Sequence, residues 1–179
     1  MNIFGRSKQF RRSLENNWDK LFRIAYAWSH DQQTSYDLVQ ETMARALQHR
    51  EKITDSRALE IWLCKVLANC WRDLFRRQKD CISIDEAVLE ARSQPDHELE
   101  RARIVSKVQI AISKLTLDQR QVITLVALQG YAYEEVAEIL TIPVGTVMSR
   151  VCRARQNLKE LLHDLATNTD LSQRVRRIK

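Results

Sequence analysis

"YEEVAEILTIPVGTVMSRVCRAR", Tyr133–Arg155, puts one proline and one glycine near its middle, with apolar residues at helical spacing on both sides. The whole chain holds two prolines and three glycines, so one of each at this point marks a structural break. Pro143 lacks the N–H that a helix interior needs, but it suits the first turn of a new helix. The spacing predicts a helix over 133–140 that buries Val136, Ala137 and Leu140. It predicts an interruption at "TIP" and a second helix from about Val144 past Leu158. Gly145 is read as letting this turn approach the preceding helix closely. At about 100° per residue, Val147, Val151, Ala154 and Leu158 share a narrow arc that must face the core. The opposite arc carries Gly145, Met148, Ser149, Cys152, Arg153 and Gln156, flanked by Thr146, Arg150 and Arg155. Small polar residues edged by arginine suit DNA: guanidinium groups meet phosphates, and central residues reach base edges. A helix–short turn–helix of this kind can set its second helix in a major groove. An amphipathic helix with a wet arginine face is the plain alternative, and the Pro/Gly break weighs against it.

Working outward, "TLDQ", Thr116–Gln119, fits a capping box in which Thr accepts from a backbone N–H and Gln reaches back to the cap. The helix it opens carries Val122, Ile123 and Val126 and stops at Gly130, the residue type that accepts a left-handed helix end. Helical periodicity also runs from about Glu98 to Leu115. Towards the N-terminus, Trp18–His30 reads as a helix with Leu21, Phe22, Ala25 and Trp28 on one face. A second helix, capped by Thr34 or Ser35 and with Asp37 in its first turn, carries the stripe Val39, Met43, Ala46 and Leu47. A long helix from about Arg57 to Lys79 buries Leu59, Trp62, Leu63, Val66, Leu67, Cys70 and Leu74. "CISIDEAVLEARSQPDHELE", Cys81–Glu100, is acidic, contains Pro95 and has weaker periodicity. It reads as a linker with a short helical piece at Asp85–Arg92, or else as a surface helix of one larger domain.

The expected fold is all-α: two small helical domains joined by an acidic linker. Their boundaries are 1–80, 81–100 for the linker, 101–165, and a basic tail at 166–179. Charge follows this division. Residues 1–80 hold 15 Lys/Arg against 10 Asp/Glu, residues 81–100 hold one against six, and residues 101–179 hold 13 against 7. Two basic lobes around an acidic connector suggest a polyanionic partner, nucleic acid foremost. No apolar run nears the roughly 20 residues of a membrane span. The basic start lacks the apolar core of a signal peptide, so a cytoplasmic protein without membrane insertion is expected. Cys64, Cys70, Cys81 and Cys152 form no CxxC pair and do not cluster with histidines. They are read as buried reduced thiols, with no metal and no cofactor.

The stretch Leu115–Leu162 resembles region 4 of bacterial sigma factors of the extracytoplasmic-function (ECF) group, most specifically in "PVGTVMSRVCRAR". Residues 20–80 resemble region 2 of the same family, through "YDLVQETMARAL", Tyr36–Leu47, and "WLCKVLANCWRDLFRRQKD", Trp62–Asp80. The resemblance implies a non-enzymatic sigma factor that directs RNA polymerase core to promoters in a stress or envelope response. Its implied partners are the core (β′ coiled coil and β flap), promoter DNA and an anti-sigma factor. It implies that Asp37, Leu38, Gln40, Glu41 and Arg45 meet the core. Ile53, Thr54, Asp55, Ser56, Arg57 and Asn69 would read the −10 element, with Arg72, Arg76 and Arg77 on phosphates and Trp71 either wedging bases or filling the core. Thr146, Met148, Ser149, Cys152 and Arg153 would face the −35 element, while Arg150 and Arg155 touch phosphate or pair within the fold. Met148 departs from the family's usual Arg or Lys, which shifts the reading face towards methyl contacts and DNA shape.

Two other functions compete with this reading. A stand-alone helix–turn–helix regulator would bind DNA without polymerase, but its sensor domain would bring strands, and no alternating pattern precedes residue 115. A pure protein-interaction module would have no use for the outward arginines.

Overall fold

The computed structural model describes residues 3–48, 55–81 and 97–176. They form seven α-helices, with no strand among the described residues: α1 (Ile3–Ser29), α2 (Gln32–Gln48), α3 (Ser56–Cys81), α4 (His97–Ser113), α5 (Leu117–Ile123), α6 (Tyr133–Leu140) and α7 (Val144–Arg176). The expected helical piece at Asp85–Arg92, and Ile53 and Thr54, lie outside the described residues.

α1 begins well before the expected Trp18, because Phe10 and Leu14 continue the apolar stripe of Trp18 and Leu21 in helical register. It ends at His30, a non-glycine residue at φ 54°, whose N–H donates to the Tyr26 carbonyl at 2.8 Å. α2 then starts three residues earlier than a Thr34 cap would allow, and four earlier than a Ser35 cap would. The cap is Asp31, whose carboxylate accepts from the Thr34 N–H at 2.7 Å. The buried face of α2 is Ser35, Leu38, Val39, Thr42 and Ala46. Leu47, expected inside, is 42% exposed. α3 is capped in the same way by Asp55, which accepts from the Ala58 N–H at 2.6 Å.

In the second half, Thr116 caps α5 as expected, accepting from the Gln119 N–H at 3.4 Å. The reciprocal arm of the capping box is replaced: the Gln119 side chain accepts from Asn157 of α7 at 3.2 Å. After Ile123 the helix widens into a π-helical turn, Thr124–Leu128, closed by the Gln129 N–H on the Thr124 carbonyl. Gly130 then turns the chain at φ +73°. No atom lies within 4 Å of the place its Cβ would occupy, so its conformation, not crowding, calls for glycine.

α6 has the expected limits, but buries Val136, Ile139 and Leu140, with Ala137 half-buried. The break after it is made by Thr141 at φ +57°, with the Ile142 N–H reaching back to the Ala137 carbonyl at 3.0 Å. Pro143 ends the turn, and its carbonyl accepts from Thr146 and Val147 at the start of α7. The close approach expected at Gly145 does not occur: nothing lies within 4 Å of its Cβ position. α7 runs on to Arg176, through most of the stretch expected to be a separate tail.

α1–α3 pack together, as do α5–α7, and the two groups also pack on each other. One cluster of buried side chains runs from Leu14 through Trp28 and Leu67 to Val136 and Ala154. Arg120 of α5 reaches across this junction. It donates to the Trp28 carbonyl at the end of α1 at 2.7 Å, and to the Ser113 and Leu115 carbonyls of its own side.

Candidate nucleic-acid interface

α7 presents the arc that the sequence spacing predicts. Val147, Val151 and Ala154 are buried, and Leu158 packs against the core half-buried. Burial of each valine contributes about 1.5–3 kcal/mol, which fixes the helix's rotation. Gly145, Met148, Ser149, Cys152, Arg153, Arg155 and Gln156 are exposed, with Met148 at 51%. Cys152 is therefore not a buried thiol, although Cys64 and Cys70 are. The Ser149 hydroxyl donates to the Thr146 carbonyl at 3.0 Å, and the Arg153 Nε donates to the Ser149 carbonyl at 3.3 Å. Among the described residues, neither Arg153 nor Arg155 forms an ion pair. Arg150 does: its guanidinium meets Asp118, in the first turn of α5, at 2.6 Å. It pairs within the fold and ties the exposed helix to α5. Thr146 is half-buried.

α3 carries a second polar surface. Asp55, Ser56 and Arg57 are exposed, but Ser56 and Arg57 belong to the helix and Asp55 is its cap, so this part of the expected loop is a helix N-terminus. Asn69 is exposed, and its side-chain oxygen accepts from Arg72 at 2.7 Å. Arg76 and Arg77 are exposed and Arg72 is half-buried. Trp71 is 5% exposed and packs beside Phe75, with ring centroids 6.3 Å apart. It is a core residue here and is not presented for stacking, because it falls on the arc of Leu67 and Leu74. Two further side chains share the outward arc with Asn69: Lys65, which the sequence reading did not single out, and Trp62, which was expected on the buried side and does pack against the core. Lys65 and Trp62, both half-buried, fall within about 80° of Asn69, Arg72 and Arg76 at 100° per residue. The signal was present in the i, i+3/i+4 spacing of these five positions.

On α2, Asp37, Gln40 and Glu41 are exposed and Arg45 is half-buried. Arg45 bonds Glu41 at 2.7 Å and Asp73 of α3 at 3.3 Å. Leu38 is 3% exposed, which removes it from the outer face assigned to it by resemblance. It falls three residues after the buried Ser35 and four before the buried Thr42, so helical periodicity turns it inward.

Between the two surfaces lies a knot of charge. The Arg57 Nε and Nη2 donate to the two carboxylate oxygens of Glu135 at 2.7 and 2.6 Å, and its Nη1 donates to Glu60 at 2.7 Å. Lys20 of α1 bonds Glu60 at 2.6 Å. Arg57 and Lys20 each stand 4.7 Å from the ring centre of Tyr131. Tyr131 is buried, and its hydroxyl lies 3.1 Å from the Cys64 sulfur. The Arg57 hydrogen bond holds Glu135 below the usual carboxylate range. For Glu60, burial pushes upward, but Lys20, Tyr131 and Arg57 outweigh it and the net shift is downward. Burial pushes the Cys64 thiol up to about 11 and raises Tyr131 as well, so both are neutral and share one proton-bearing contact. Among the described residues, no group of three or more His, Cys, Asp or Glu is arranged to hold a metal ion. No helix among them is long and apolar enough to cross a membrane.

The chain matches two family profiles, Sigma-70 region 2 over residues 14–80 and Sigma-70 region 4 over residues 107–158. It is 37% identical over 133 residues to the ECF RNA polymerase sigma factor EcfG of Rhodopseudomonas palustris, a match covering 71% of this chain and 70% of that one. The chain belongs to the ECF sigma factors of RNA polymerase. Two solved structures share the fold of this sigma factor. One is the sigma factor RpoE in complex with the anti-sigma factor NepR from Bartonella quintana, at a TM-score of 0.69 and 28% identity, covering 87% of this chain and 98% of that one. The other is CnrH in complex with the cytosolic domain of CnrY, at 0.63 and 26%, covering 88% and 89%. In this sigma factor the region 2 match takes in α2, most of α1 and nearly all of α3. The region 4 match runs from within α4 to Leu158 of α7. The knot around Arg57 therefore joins one matched region to the other.

Proposed function

We propose that this sigma factor brings RNA polymerase core to promoters by setting α7 on the −35 element and the outer face of α3 on the −10 element. One observation carries the reading: six consecutive outward positions of α7, Gly145 to Gln156, are exposed above a buried valine row, directly after a short turn. Arg153 supplies a guanidinium for a phosphate or a guanine edge, and Met148 and Cys152 supply apolar contact for thymine methyls. On α3, Asn69 reads a base edge, and Lys65, Arg72, Arg76 and Arg77 hold phosphate. The exposed carboxylates and amide of Asp37, Gln40 and Glu41 dock on the β′ coiled coil, and the region 4 lobe meets the β flap. The similarity to RpoE, captured with NepR, supports an anti-sigma partner for this chain too, and with it a role in a stress or envelope response.

Run-off transcription with purified core polymerase on a random promoter library tests the proposal. Core-dependent initiation from templates sharing two elements is expected. Equal DNA binding with and without core would favour a stand-alone regulator instead. Arg153→Ala should cut −35-dependent initiation by about 1–3 kcal/mol while leaving the affinity for core unchanged. Loss of core affinity would overturn the assignment of the lobes.

A further inference from the structure

Two consecutive side chains in the first turn of α5 take hold of α7. Asp118 meets the Arg150 guanidinium at 2.6 Å, and the Gln119 amide oxygen accepts from Asn157 at 3.2 Å. Arg150 and Asn157 are seven residues apart. At 100° and 1.5 Å per residue they stand within about 20° of each other around α7 and about 10 Å apart along it. One flank of the helix is therefore tied at two heights to a single turn of α5. That turn is itself firmly held. Thr116 caps it, and Arg120, the next residue along, donates to the Ser113 and Leu115 carbonyls. The buried valine row decides which face of α7 turns outward, but apolar burial is non-directional. Directional polar bonds at two heights add control of tilt and of sliding along the axis.

The tied flank borders the reading face. Arg153 lies about 60° round the helix from Arg150, and Ser149 about 100°. The Arg150 and Asp118 side chains are 23% and 53% accessible, so their pair sits at the rim of the exposed arc. An ion pair this exposed contributes little to stability. Its consequence is for charge: Asp118 neutralises Arg150, whereas Arg153 and Arg155 form no ion pair among the described residues. Three unpaired arginines in a row of turns would hold any duplex through its phosphates, which carry no sequence information. With Arg150 occupied, a larger share of binding rests on the arc that meets base edges.

We propose that Asp118 and Gln119 are positioning residues for promoter reading. They fix the angle at which α7 enters the groove, and Asp118 keeps Arg150 off phosphate, which sharpens discrimination for the −35 element. Neither residue touches a base. This proposal rests on the promoter-reading function given above.

The test uses the full chain bound to core polymerase, on a promoter recovered from the random library and on the same promoter with its −35 element shuffled. Discrimination is the ratio of initiation from the two templates. Asp118→Asn should lower it 3- to 10-fold, chiefly by raising initiation from the shuffled template. It should also steepen the fall of template binding with salt by one phosphate contact, a change in slope of about 0.9. Asp118→Glu keeps the charge and should restore both values. Gln119→Leu should lower discrimination with the salt slope unchanged, because no charge is altered. Urea unfolding should place the midpoint of Asp118→Asn close to that of wild type.

In the double variant Asp118→Asn with Arg150→Gln, the gain on the shuffled template should vanish, since the released cation is gone. A gain that persists there would come from losing the repulsion between Asp118 and DNA, and would overturn the proposal. So would an Asp118→Asn protein that loses initiation equally from both templates, the mark of general loosening, or one that discriminates as well as wild type. In those cases wild type still initiates from promoters sharing two elements, and the promoter-reading function stands. A wild type that initiates from no library template refutes that function, and the positioning role with it.

Discussion

His30 ends α1 in the left-handed region with its imidazole buried. Burial first, and then the nearby Arg120 guanidinium, lower its pKa from 6.5 to about 4. The unfolded chain therefore takes up a proton near pH 6.5 that the folded chain refuses until near pH 4, so stability must fall as the pH drops through that window. The loss is on the order of 3 kcal/mol. His30→Asn keeps a residue that tolerates positive φ and removes the titrating group. Urea unfolding across pH 4–7 should show a slope for wild type that is flattened in His30→Asn. Arg153 behaves differently at the same scale. Its guanidinium is exposed and outside any ion pair among the described residues, so its substitution should be felt by DNA and hardly by the fold. The difference between Arg153 and Arg57 could not be read from sequence. Both are exposed arginines on amphipathic helices, but the partner of Arg57 lies 78 residues away, beyond any local pattern.

At the scale of elements, α6 and the start of α7 were legible because the signals there are local. Apolar spacing sets the buried rows, and Pro143 forbids one continuous helix. Three features escaped for equally physical reasons. Asp31 and Asp55 cap α2 and α3 where polar loop residues offered several equivalent caps. The π-helical turn at Thr124–Leu128 shifts the register by one residue, so that Leu125 is buried and Leu128 is 53% exposed, and no periodicity rule anticipates that. The turn before α7 is made by Thr141, not by Gly145. A β-branched residue in the left-handed region costs about 1–2 kcal/mol, and the exposed Thr141 side chain makes no compensating hydrogen bond among the described residues. Thr141→Asn should stabilise the protein by about 0.5–1 kcal/mol, seen as a higher urea midpoint at unchanged slope. A fall in the midpoint would show that the threonine is favoured by its surroundings.

For the whole molecule, charge and composition pointed to two basic lobes; α1–α3 pack together, α5–α7 pack together, and one buried cluster runs through both groups. Their mutual packing was not visible, because its contacts join residues far apart in sequence: Trp28 to Arg120, Cys64 to Tyr131, Arg57 to Glu135. The buried cluster that crosses this junction has a practical corollary. Two separately produced polypeptides, residues 1–81 and 97–179, each own part of a shared hydrophobic surface and complementary ends of the same ionic bonds. Mixed together, they should find one another and co-elute as a one-to-one heterodimer, and salt should weaken that pairing.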